Sequence, residues 1–110
     1  MNVTARDAGG ILAIDLEGKL DTQTSRQTLE ELLSYLEPNP GKVLLSLNSL
    51  DFISSAGLRV ILQVAKKVTG YGGALKVSGA AGVVKDIMEV SGFDSMLDLY
   101  EDEAAAVASF

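Results

Sequence analysis

The chain has 110 residues, room for one domain built around one hydrophobic core and not for two. Apolar residues make up 47% of it and charged residues 22%, a globular balance and not that of a disordered tail. A formal net charge of -6 weighs against nucleic acid as a partner, and the absence of both cysteine and histidine removes disulfides, thiol or imidazole catalysis and the usual zinc ligands.

In chain order, Asn2 to Asp7 and Ile11 to Leu16 read as two strands of a hairpin, with Gly9 and Gly10 at the turn and Gly18 ending the second strand. Asp21 or Thr22 offers a helix cap. The helix that follows runs to about Leu36, with Leu29, Leu32, Leu33 and Leu36 on one stripe. Pro38 and Pro40 stop it. Lys42 to Leu47 carries an unbroken apolar run, as expected of a strand covered on both faces in a parallel sheet. A helix is predicted from Ser55 to Gly70, with Leu58, Ile61, Leu62, Ala65 and Val68 inward and Val60 and Val64 widening the buried arc. Gly70, Gly72 and Gly73 close it. A strand from Ala74 to Val77, a helix from Val83 to Val90 with Val83, Val84, Ile87 and Met88 inward, a strand from Met96 to Leu99 and a helix from Glu101 to Ser109 complete the pattern.

This order predicts an α/β domain over residues 1–110: a mixed, mostly parallel five-stranded sheet with an N-terminal antiparallel hairpin and about four helices. The longest apolar runs, such as Gly10 to Leu16, are too short for a bilayer span. The start of the chain lacks the basic and apolar stretches of a signal peptide. A cytoplasmic protein without direct membrane insertion is expected.

The most informative stretch is Leu50-Asp51-Phe52-Ile53-Ser54-Ser55-Ala56-Gly57-Leu58. It joins a strand to the most apolar helix, at the carboxyl edge of the sheet where open α/β folds place their contact surfaces. One reading makes Ser54 or Ser55 a helix cap, worth about 1 kcal/mol. The other makes Ser55 a phosphoacceptor, where a phosphoryl group would add about 1.5 to 2 negative charges beside helix amides. Gly57, lacking a side chain, would let another molecule come close.

The segment Asp51 to Arg59 resembles the phosphorylation loop of the STAS domain family, above all its small bacterial anti-sigma-factor antagonists. The family pattern is Asp-Ser-(Ser, Thr or Ala)-Gly-Leu, which on this chain makes Ser55 the target serine, followed by Ala56, Gly57 and Leu58. Gly18-Lys19-Leu20-Asp21 is similar to a second signature whose aspartate lies near that loop. One position departs from the pattern: Ser54 stands where the family usually has aspartate.

The resemblance implies a switch that is not an enzyme. Unmodified, the protein would bind an anti-sigma-factor serine kinase; phosphorylation of Ser55 would release it, and a serine phosphatase would reset it. Asp21, Ser54, Ser55, Gly57 and Leu58 would form the central patch. Nucleotide and Mg²⁺ would belong to the kinase, with no cofactor on this chain. Ser54 keeps a second family-compatible reading open, a non-phosphorylated adaptor in a signalling assembly or on an ABC lipid transporter. A small α/β enzyme or flavin-binding domain is the third reading. The glycines at 70, 72, 73, 79 and 82 match no dinucleotide or phosphate loop. Asp98 with Glu101, or Asp102 with Glu103, shows no enclosing cleft.

Overall fold

The computed structural model describes residues 1–110. Strand β1 (Asn2–Asp7) pairs antiparallel with β2 (Leu12–Leu20), and the chain then alternates helix and strand: α1 (Ser25–Tyr35), β3 (Lys42–Ile53), α2 (Ser55–Gly70), β4 (Ala74–Ser78), α3 (Gly82–Val90), β5 (Leu99–Tyr100) and α4 (Glu103–Ser109). The strands lie side by side in sequence order, and every pair after the hairpin is parallel. This is the predicted five-stranded mixed sheet with four helices.

Alternation along β3 divides the molecule into layers. Val43, Leu45 and Leu47 point to one face and join Leu32 and Leu36 of α1, Leu58, Ile61, Val64 and Val68 of α2, and Val84 and Met88 of α3 in the main core. Each of these side chains contributes roughly 1.5–3 kcal/mol by leaving water. Leu44 points the other way, to a small cluster with Ile11, Ala13 and Ala106 of α4. Three helices thus cover one face, as right-handed crossovers between adjacent parallel strands require, while α4, which follows the last strand, lies on the other.

Helix α2 has the predicted bounds, and its ends explain why. Ser54 caps its start. At its end Gly73 N–H bonds to Val68 O at 2.9 Å and Gly72 N–H to Thr69 O at 3.0 Å, a Schellman closure with Gly72 in the left-handed conformation (φ 88°) that glycine adopts most cheaply.

Several boundaries move. β2 passes through Gly18 at a register shift and continues to Leu20, and β3 runs on to Ile53. Along that extension the buried positions are Leu47, Leu50 and Ile53, a spacing of three that a bulge produces and that a period-two pattern misses. α1 starts at Ser25, because the Asp21 carboxylate is spent earlier, accepting from the amides of Gln23 and Thr24. A short 3-10 turn, Phe93–Ser95, occupies the approach to β5, which begins at Leu99 and leaves Met96 exposed. α4 starts at Glu103, with the Asp102 carboxylate accepting the Ala105 amide at 2.8 Å.

Candidate functional site

Two strand ends and two helices build the site. Leu20, last in β2, is the register partner of Ile53, last in β3. One step on, Ser54 N–H donates to Leu20 O at 2.9 Å. This bond sets Asp21 and Ser54 next to each other at the carboxyl edge of the sheet. Asp21 is half-buried, its carboxylate tied to the turn that leads into α1.

The two serines divide the roles that the sequence left open. Ser54, extended at φ -96° and ψ 176°, is the N-cap of α2, and its side chain accepts from the Gly57 amide at 3.2 Å. Ser55 is the first helical residue; it is exposed, and its hydroxyl takes no part in the cap. The capping energy therefore belongs to Ser54. Aspartate, which the family pattern puts there, is an equally good N-cap. The departure thus preserves the helix start and removes one negative charge beside Ser55.

Gly57 serves the interior, which corrects its assignment to an open first turn. A Cβ there would stand 2.5 Å from Leu20 O and 2.8 Å from side-chain carbons of Ile53 and Leu20, well inside van der Waals contact. Only glycine lets α2 come this close to the end of β2. Leu58 is likewise almost wholly buried, and reaches the surface only as the floor of a groove.

That groove lies between the first turn of α2 and the C-terminal half of α3, and Ser55, Leu58, Asp86, Ile87, Val90 and Ser91 line it. Val90 is 90% exposed and Val83 47%. The prediction that Val83 packs inward therefore fails, and only Val84 and Met88 of α3 are buried. At about 100° per residue, Val83, Ile87 and Val90 share one stripe and Val84 and Met88 another. The apolar surface beside Ser55 was readable from that spacing, since α3 carries more apolar residues than its inner face can hold.

The strongest charge interactions lie on the far side of the sheet. The Arg6 guanidinium donates to Asp15 at 2.8 Å and to Glu103 at 2.9 Å. Its hydrogen bonds hold both carboxyls below their usual range, while Glu103 and Asp15 keep the guanidinium protonated. Lys76 Nζ donates to Asp98 at 2.7 Å and to the Tyr100 hydroxyl at 3.2 Å. The lysine bond lowers the Asp98 carboxyl, and the Asp98 bond in turn raises the ammonium. Three of the four carboxylates that the sequence pairs near the C-terminus are thus committed, Asp98 to Lys76, Asp102 to the α4 cap and Glu103 to Arg6. No group of three or more carboxylates is placed to hold a metal ion, and no helix is long and apolar enough to cross a membrane.

A small α/β domain with one mixed, mostly parallel sheet and a helix start at its carboxyl edge is the class that this fold defines. The family model described as STAS domain matches residues 2–106. The chain is 34% identical over 110 residues to BtrV of Bordetella bronchiseptica, a protein assigned as an anti-sigma factor antagonist, covering 100% of this chain and 95% of that one. An anti-sigma factor antagonist from Mycobacterium paratuberculosis superposes with a TM-score of 0.89 at 18% identity, over 98% of this chain and 92% of that one. The Bacillus cell fate determinant SpoIIAA, in its phosphorylated form, superposes with a TM-score of 0.70 at 14% identity, over 99% and 100% of the two chains. The chain belongs to the STAS domain family, in its anti-sigma-factor antagonist type.

Proposed function

We propose that this protein is an anti-sigma-factor antagonist switched at Ser55. Unmodified, it binds an anti-sigma-factor serine kinase and keeps that kinase from its sigma factor; phosphorylated at Ser55, it lets go, and a serine phosphatase restores it. The observation that carries this reading is the division between the two serines. Ser54 makes the cap, so the exposed Ser55 hydroxyl can be modified without unmaking the helix start.

The surroundings supply a docking face. The groove floored by Leu58 and walled by Ile87 and Val90 abuts Ser55, and burying exposed apolar surface is the main source of binding free energy at such contacts. A phosphoryl group at its edge would add about 1.5 to 2 negative charges next to Asp86, and desolvating that charge against a partner would be costly. Release then needs no change of fold.

Intact-mass measurement after incubation with the cognate kinase and ATP tests the reading. A single added phosphoryl group, absent in Ser55→Ala, is the expected result. An unchanged mass, or modification that persists in Ser55→Ala, overturns it. Recovery of ABC transporter subunits in place of a kinase by affinity pull-down would favour the adaptor reading.

A further inference from the structure

Helix α2 differs from the rest of the chain in charge. Its sixteen residues contain Arg59, Lys66 and Lys67 and no carboxylate, in a protein whose formal net charge is -6. Arg59 lies four residues after Ser55. Both side chains are exposed, and residues four apart share one helix face. Long side chains on a helix lean toward its N-terminus, which carries the Arg59 guanidinium toward the turn that holds Ser55. The ion pairs formed by arginine on this chain involve Arg6 and Arg26, so Arg59 is free to take an anion. On the other side of Ser55 the groove presents Asp86, which repels one.

We propose that Arg59 is a positioning residue for the modified state, holding the Ser55 phosphate along the face of α2 and away from Asp86. The inference rests on the phosphorylation reading and adds to it a partner within the chain. An acid four residues before a base is the favourable order on a helix, and a guanidinium can give a phosphate two parallel hydrogen bonds. The pair favours the dianion, so the phosphate carries its full charge nearer neutral pH. The switch is thereby sharpened without help from the kinase.

The test avoids the kinase altogether. Phosphoserine is installed at position 55 during translation, and the second ionisation of the phosphate is followed by phosphorus NMR in the intact protein. Arg59→Gln should raise that pKa by a few tenths of a unit, Arg59→Lys should restore most of the shift, and added salt should shrink the difference between wild type and Arg59→Gln. The α2 amides act equally in all variants, so only Arg59 moves the comparison. Identical titrations for wild type and Arg59→Gln would overturn the assignment. Because the phosphate is present by construction, such a result would leave the question of kinase modification to the mass experiment.

Discussion

At the scale of single residues, the two serines and Gly57 separate stability from the switching proposed for Ser55. Ser54→Ala removes the acceptor of the Gly57 amide and should cost about 1 kcal/mol, whereas Ser54→Asp should keep that energy. Ser55→Ala touches neither the cap nor the core, and its cost should stay within about 0.5 kcal/mol while modification is lost. Urea unfolding midpoints read both, and a Ser55→Ala cost equal to that of Ser54→Ala would return the capping role to Ser55. Gly57→Ala sets a methyl group against the Leu20 carbonyl, a backbone atom that cannot swing aside. A loss of about 1–3 kcal/mol is expected, measurable in the same unfolding series. Partner affinity should fall in that variant through displacement of α2, since Gly57 itself is buried. The sequence could place a serine at a helix start but not say which of two adjacent serines caps. That choice depends on the Ser54 N–H to Leu20 O bond, a contact between residues 34 positions apart that no local pattern encodes.

At the scale of elements, α4 is the least securely attached helix. Its seven residues are too few to hold a helix alone, and only Ala106 is buried. Under its face of the sheet lie Ser46 and the fully buried Ser78, whose hydroxyl has no partner. Apolar anchorage there is thin. The Arg6 bridge to Asp15 and Glu103 compensates by joining β1, β2 and α4. Arg6→Met would break the bridge and leave two carboxylates facing each other. The expected loss is on the order of 1 kcal/mol, concentrated in faster hydrogen exchange of the α4 amides with α2 unchanged. Uniformly faster exchange would show that α4 is not a separate unit. α2 stands where strong helical spacing puts it, and β1 has the expected bounds although its alternation is weak. The misplaced boundaries share a cause, since the bulges of β2 and β3, the turn around Asp21 and the 3-10 turn before β5 are set by tertiary pairing. The outward stripe of α3 was present in the spacing, but choosing which stripe faces the core requires knowing where the sheet lies.

At the scale of the whole molecule, the paired charges predict how the fold responds to acid. Asp15 and Glu103, held by Arg6, and Asp98, held by Lys76, all have carboxyls below their ordinary values in the folded state. The unfolded chain therefore binds more protons as acid is added. Their stabilising contribution is complete above the ordinary carboxyl range of about 4, and is lost as pH falls through the lower folded values. These carboxylates are partly exposed, so solvent screens each pair and the effect accumulates from small terms. Protonation also reverses the overall charge below the isoelectric point near 4.4, so self-repulsion among the nine basic residues adds to the loss. Urea midpoints measured from neutral pH downward should stay level to about pH 5 and then fall steeply. Combining Arg6→Met with Lys76→Met should lower the neutral plateau, through the lost ion pairs and the lost stacking of the ammonium on the Tyr100 and Phe110 rings, each centroid 5.2 Å away. The same variant should flatten the acid limb, because Asp15, Asp98 and Glu103 would no longer be held below their ordinary values in the folded state. A parallel curve, merely displaced downward, would mean that these three carboxylates do not govern the acid limb.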